Sequence, residues 1–553
     1  MARRLLAETT SLVVLVSLGV LAVWHLVRTP RSWMLFEDGD SVLLAIMRRS
    51  VEGGLPDDFW YSPVLFVQER LLYDATGLLF GLTAQQALAA NAVVNVVLFG
   101  LAARFAVAPV LRTRSVWLRA GSAVLPVALL TVSVLTESSR DRGSFELASL
   151  QLLTTYYSAT IWAVLVLFGL LLRYALATSV RLRAVLVVLA VAVVSMAVWS
   201  NPMVLAWVSL PAAVLLVLMA TTWWRLRADR GAVLRSAVAD LAGPFTVVAA
   251  AGVVFVLRRS VAFAGVEKLR PDRADQAFGT FGSAFADRVA TLPGLLEVVL
   301  WAAVVAACVV ALVVPGVRRT AGPGAVAVIA TGALAPLLVV AFGVIGTPWT
   351  RYLQPVLFLP LVAVVLAVEA LVRARRAARW DSRARRRAVT PGRSRPTLAV
   401  LGIAVAVGVP VSAGVAFPDV ARASAQADPD VQCVVDWASA TDRTGAGDFW
   451  TVRGVKYRLA DQRQLLQVNA TFGATTWLTN KHDYDGVRRA SWVVLGGERP
   501  GLIAKPVDIV TSIDSVPTVP GAGAPEITRC GTLTIADWGK PVVPIAPPAE
   551  VGR

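Results

Sequence analysis

Residues 11–41 read SLVVLVSLGVLAVWHLVRTPRSWMLFEDGDS, and this stretch decides the class of fold. An apolar run long enough to cross a bilayer ends in a basic, Pro-containing turn, and three carboxylates follow at once: Glu37, Asp38 and Asp40. About 20 apolar residues span the ~30 Å of hydrocarbon. The run follows Arg3 and Arg4 like a signal peptide, but its length and the many later spans favour an uncleaved first transmembrane helix.

The rest of the chain has the same character. Of 553 residues 56% are hydrophobic and only 16% charged, against roughly 25% charged in a soluble domain; mean hydropathy is +0.66. Eleven apolar stretches are expected to be membrane spans: 9–29, 77–103, 117–135, 156–176, 183–200, 203–223, 241–257, 294–315, 323–346, 352–372 and 397–417. The net charge of +17 is mostly arginine in the short loops between them, which topology explains better than nucleic-acid binding. Arg104, Arg112, Arg114 and Arg119, then Arg181 and Arg183, Arg225 to Arg235, Arg318 and Arg319, and the ten arginines of 373–395 fall on alternate loops. The positive-inside rule therefore puts the N-terminus in and the C-terminus out. The basic outer loop 258–293 is the exception, read either as a site for an anionic group or as a loop too long for the rule.

The expected organisation is thus a helical membrane domain (1–417) with a first extracytoplasmic loop at 30–76. An Arg-rich cytoplasmic loop at 373–396 lies against anionic lipid. A small extracytoplasmic α/β or α+β domain occupies 418–553, where polarity is ordinary and strand-like runs occur at 491–497 and 506–513. Cys433 and Cys530 both fall in this last segment and are a candidate disulfide if it lies outside the cytoplasm; Cys308 is buried packing. His25 and His482 are too few for a histidine-based metal site.

The acids of FEDGDS have bland readings: Asp40 or Ser41 as the cap of a helix beginning near Val42, or plain solvation of a span's end. Their chemical reading starts from position, because ionisable groups facing a bundle interior are costly and mark function. A carboxylate there can take a proton from an attacking hydroxyl or hold a divalent cation beside a phosphate. Both are needed when a sugar moves from a lipid phosphate to an alcohol.

One span, a long outer loop opening on paired acids, a helical bundle and an outer C-terminal domain together resemble the GT-C-type glycosyltransferases, which include protein mannosyltransferases and arabinosyltransferases. The resemblance implies a polyprenyl-phosphate sugar donor, a glycan or lipid acceptor in the cell envelope, and an acid in the first outer loop as base or metal ligand. Asp38, Asp40 and Glu37 match by position and type, with Asp38 favoured as the base and Asp38 and Asp40 as ligands of any Mg²⁺ or Mn²⁺. The spacing here is E-D-G-D rather than an adjacent pair. In TESSRDRGSFE (136–146), Glu137 or Asp141 is a candidate second acid or part of a salt-bridged loop. Arg351 and Tyr352 in TPWTRYLQP, and Arg258 with Arg259, are candidate grips for the donor phosphate or interfacial anchors. Trp450, Trp477, Asn480 and Asp483 are candidate sugar contacts or ordinary core. Residues 56–74 suit an interfacial segment or packing against the bundle. No P-loop, Rossmann glycine pattern or Ser-His-Asp set is present, so nucleotide-driven chemistry is disfavoured. A transporter, flippase or polymerase of envelope precursors would put its acids at mid-membrane depth; a non-catalytic scaffold would leave them on a flat rim. Ala, Val and Arg richness fits a bacterial plasma-membrane protein.

Overall fold

The computed structural model describes residues 1–225, 230–261, 270–385, 396–496 and 512–547; side chains are also left out at 222–225, 230–239, 378–385 and 396–405. Lys268 of the basic loop, the core of the Arg-rich loop (386–395) and most of the strand-like run 506–513 lie outside the described residues.

The chain is a polytopic helical membrane protein with a small mixed-sheet region at its C-terminus. Among the described residues, nine helices are long and apolar enough to cross a membrane: Ala2–Val27, Ala84–Val107, Val116–Val134, Ser158–Leu176, Val180–Ser200, Met203–Thr221, Asp240–Ser260, Leu292–Val313 and Thr350–Ala377. The stretch expected as one span at 323–346 is two helices, Pro323–Leu334 and Leu337–Val344, bent by 54°. Pro336 sits at the break, where it lacks the N–H an unbroken helix would use. The eleventh stretch falls within helix Pro396–Ala425, which packs along the first helix and offers Asp419 to Trp24 Nε1 at 3.1 Å.

Burial separates hub from rim. The most apolar window of Thr350–Ala377 is 78% buried inside the protein, that of Asp240–Ser260 only 17%. The rim helices leave Val185, Val188, Val248 and Val253 outward, as lipid-facing surfaces require. Between helices, small residues set the approach. A Cβ added at Gly100 would stand 2.8 Å from Val127 and 2.9 Å from Leu15.

One expected span begins too early. Leu78, Leu79 and Phe80 look like the start of 77–103, yet they end a separate helix, Val67–Phe80, stopped by Gly81 in the left-handed region. The next helix starts at Ala84, where Thr83 and Gln86 cap each other's backbone amides. That T-x-x-Q capping box is legible in the sequence. The apolar tip at 78–80 stays exposed.

Glu69, on the same short helix, is 2% exposed with no hydrogen bond to its carboxylate oxygens. Burial, only weakly offset by its own amide and that of Ala159, pushes its pKa up to about 7. A carboxyl raised in the folded state favours folding below its unfolded value and loses that benefit as pH climbs toward the folded value. The shift amounts to about 3 kcal/mol between mildly acidic and neutral pH. Glu69→Gln is therefore expected to raise the thermal midpoint of purified protein markedly at pH 8 and little at pH 5. Equal shifts at the two pH values would exonerate the carboxylate.

In the C-terminal region five strands form one sheet: β1 (Gly445–Asp448), β2 (Leu465–Val468), β3 (Trp492–Gly496), β4 (Glu526–Cys530) and β5 (Leu533–Asp537), in the order β2-β1-β3-β5-β4. The first three are parallel and the β3-β5-β4 side antiparallel. Val434, Val452, Val455, Trp492 and Ile535 fill one face, and a disulfide joins Cys433 on helix Pro429–Ser439 to Cys530. This region is tied to the first loop. Phe59–Trp60 pairs antiparallel with Thr479–Asn480, and the Tyr457 hydroxyl donates to the Phe36 carbonyl at 3.0 Å.

Candidate functional site

The acid turn is built locally and then clamped from three sides. After the short helix Trp33–Phe36, the amides of Glu37 and Asp38 both donate to the Trp33 carbonyl at 2.8 Å. Asp38 Oδ2 then accepts from the Ser41 amide at 3.1 Å and the Ser41 hydroxyl at 3.3 Å. Asp38, rather than Asp40 or Ser41, thus closes the turn, and helix Leu43–Glu52 starts with no side-chain cap. Thr154 and Thr155 donate to the carbonyls of Ser41 and Asp40 at 2.6 and 2.7 Å. From above, Phe449 lies against Gly39, where a Cβ would come within 2.5 Å of the ring. Only glycine admits that contact.

Two arginines converge on the acids. Arg142 Nη1 is 3.5 Å from Asp38 Oδ1 and 3.6 Å from Asp40 Oδ2, and Arg351 Nη1 is 3.3 Å from the same Asp40 oxygen. Tyr156 donates to Asp38 Oδ2 at 3.1 Å. The Arg142 guanidinium stacks on Trp450 at 3.9 Å, and Arg351 sits 5.0 Å from the Trp349 ring. Asp38 is fully buried, whereas the Asp40 side chain keeps 19% of its surface. Burial lifts the Asp38 carboxyl above its ordinary range; Arg142 pulls it down and Asp40 pushes it up. Oδ1 of Asp38 has no hydrogen bond, only the long approach of Arg142. A carboxylate oxygen held in place, raised in basicity and unsatisfied is suited to receiving a proton.

The other candidates are placed as follows. Glu37 turns away from the pair toward Arg458 of the C-terminal region, 3.4 Å off. Glu137 does not reach the acids: its two oxygens accept from the amides of Ala148 and Ser149, both at 2.7 Å, and burial raises it to about 6 with Arg31 opposing. Asp141 is spent on a turn, accepting from the Gly143 amide at 2.7 Å. Immediately after Asp141, Arg142 is the side chain this loop delivers to the acids. Arg258 donates to the Pro63 carbonyl at 2.6 Å and Arg259 lies over Phe255 at 5.7 Å; no ion pair joins either to the acid turn among the described contacts. Tyr352 flanks Arg351, 5.7 Å from its guanidinium. Of the proposed sugar contacts, Trp450 alone touches the arginine–acid cluster. Asn480 is buried and donates to Ser50 and Pro56 at 2.9 and 2.8 Å, a brace rather than a ligand contact. Trp477 uses its carbonyl to accept from Gln467, and Asp483 pairs with Lys456 at 2.9 Å.

For a divalent ion the donor set is thin. No group of three or more His, Cys, Asp or Glu is placed to hold a metal among the described residues. Asp38 and Asp40 already share one guanidinium, so an ion between them meets Arg142 first.

No protein-family model matches the chain, and no curated protein matches it. Among solved structures it is similar to the archaeal oligosaccharyltransferase AglB from Archaeoglobus fulgidus, in complex with an inhibitory peptide and a dolichol-phosphate. The TM-score is 0.42 and identity 14%, over 89% of this chain and 69% of that one.

Proposed function

We propose that the protein is a membrane glycosyltransferase that moves a sugar from a polyprenyl-phosphate donor to a hydroxyl of a cell-envelope glycan or lipid. The acid turn then lies on the outer face of a bacterial plasma membrane, with the N-terminus in and the C-terminal region out. The observation that carries this reading is the convergence of Arg142 and Arg351 within 3.3–3.6 Å of Asp40, beside the buried Asp38. The loop arginines at the opposite end of the helices support the orientation.

In the reaction, the acceptor oxygen attacks the anomeric carbon as its proton passes to Asp38 Oδ1. The bond between that carbon and the phosphate oxygen breaks, and polyprenyl phosphate leaves with the electron pair. Arg351 and Arg142 neutralise its charge, the guanidinium fork matching two phosphate oxygens. Arg142 is only loosely held by the acids, so an arriving phosphate draws it off Asp38 and opens Oδ1 to the acceptor. Donor binding and exposure of the base are one movement. Trp450, stacked on Arg142 at 3.9 Å, supports the guanidinium beside the acids. Asp38 and Asp40 alone are a thin donor set for Mg²⁺ or Mn²⁺ among the described residues, and no step is routed through either ion.

The test is transfer in proteoliposomes supplied with short-chain polyprenyl-phosphate sugars. Arg351→Gln is expected to raise the donor KM by at least about tenfold, as loss of a charged hydrogen bond implies, with Arg351→Lys recovering only part. If wild-type protein consumes no such donor, or Arg351→Gln leaves the donor KM unchanged, the reading is wrong.

A further inference from the structure

The end of the bundle away from the acid turn holds a basic cavity. It is a half-open hollow of about 260 Å³ whose wall includes Arg104, Arg112, Arg119 and Arg173 together with Pro109 and Ser122. Three of the arginines come from three helices, Arg104 near the end of Ala84–Val107, Arg119 in the first turns of Val116–Val134 and Arg173 in the last turn of Ser158–Leu176, while Arg112 lies in the turn between the first two. Arg104 is paired with Glu8. Arg173 spends one N–H on the Gly169 carbonyl at 2.8 Å and stacks on Phe105 at 3.8 Å. Arg112 is exposed and close enough to Arg173 to repel it. Glu8 is the one carboxylate paired with a lining arginine among the described ion pairs, and Arg4 and Arg119 crowd it as well.

Like charges from separate helices do not gather round a cavity without cost; an anion of matching size offsets their repulsion. The surroundings name its kind. The lining helices are of membrane length; on them Trp117, two residues before Arg119, and Leu176, three after Arg173, are 52% and 42% exposed, apolar surface of the sort that meets acyl chains at an interface. We propose that this cavity binds the phosphate headgroup of an anionic phospholipid from the leaflet opposite the acid turn, as basic pockets between transmembrane helices do. A free phosphate would offer the same headgroup chemistry but has no use for the apolar surface. The site is separate from the proposed transfer chemistry.

The experiment uses full-length protein in phosphatidylcholine nanodiscs doped with phosphatidylglycerol, with bound lipid counted by native mass spectrometry after detergent release. Wild type should retain phosphatidylglycerol over phosphatidylcholine. Arg112→Gln with Arg119→Gln should reduce that preference by about fivefold per arginine, and the Arg→Lys pair should keep most of it. Arg318→Gln with Arg319→Gln, exposed arginines outside the cavity, should leave it unchanged. Retention equal for the two lipids, loss in the Arg318/Arg319 control as large as in the cavity variant, or displacement of the lipid by millimolar inorganic phosphate would each overturn the proposal. Thermal midpoints in pure phosphatidylcholine, expected to be alike for all four proteins, separate lost binding from lost folding.

Discussion

Asp38→Asn is expected to lower kcat for sugar transfer by about 10²–10⁴-fold, the usual contribution of a positioned general base, with the protein still inserted and folded. Asparagine keeps the shape and can still accept from Ser41 and Tyr156 through its carbonyl oxygen, so the turn survives. It offers an amide where Oδ1 would receive the proton. Wild-type turnover would refute the assignment. The pH profile supplies an independent check, because the neighbours of Asp38 pull in known directions. Burial sets the acid limb of kcat/KM above the ordinary carboxylate range. Arg142→Gln removes a stabilising positive charge and should move that limb to higher pH. Asp40→Asn removes a repelling negative charge and should move it lower. If both substitutions move the limb the same way, some other group is the base.

How far the sequence foretells this arrangement depends on the range of the interaction. The membrane helices are legible because lipid leaves the chain no alternative to satisfying its own amides, and the long apolar stretches fall on helices. Where apolar residues run on past a stop, as at Leu78–Phe80, hydropathy alone overruns the boundary; the Thr83–Gln86 capping box, a local signal, corrects it. At the site, Asp38, Asp40 and Arg351 stand out as charges beside spans. Arg142 does not, since Arg140 and Arg142 look alike in TESSRDRGSFE. What separates them is tertiary: Arg142 is 8% exposed and lies over Trp450, a residue 308 positions away. The supporting threonines and Tyr156 are equally silent, being ordinary residue types whose role depends on acceptors in another loop, the Ser41 and Asp40 carbonyls for the threonines and the Asp38 carboxylate for the tyrosine. Glu137 misleads for the same reason. A buried carboxylate serving two backbone amides reads, in sequence, like one awaiting a substrate.

Arg31→Met is expected to cost about 3–5 kcal/mol of stability, the penalty for breaking a buried ionic network from one side, and to disturb the site without touching it. Arg31 is wholly buried and spends its guanidinium on the second loop. Nε donates to Ser149 at 2.7 Å, Nη1 to the carbonyls of Ser139 and Asp141 at 2.9 and 3.1 Å, and Nη2 to the Glu146 carbonyl at 2.9 Å. Its ion pair with Glu146 at 3.2 Å extends to Arg288 and on to Glu297. A methionine fills the volume but leaves several carbonyls and one face of Glu146 unserved in a place water reaches poorly. Lysine restores the charge and not the fork, so Arg31→Lys should recover little. Because Asp141 precedes Arg142 in the braced segment, loosening the brace loosens the cation on Asp38. Arg31→Met should therefore shift the acid limb of kcat/KM upward, as Arg142→Gln does, alongside its lowered midpoint. A lowered midpoint with an unmoved limb would make the network a support for the loop alone; an unchanged midpoint would show that the fully buried arginine braces nothing.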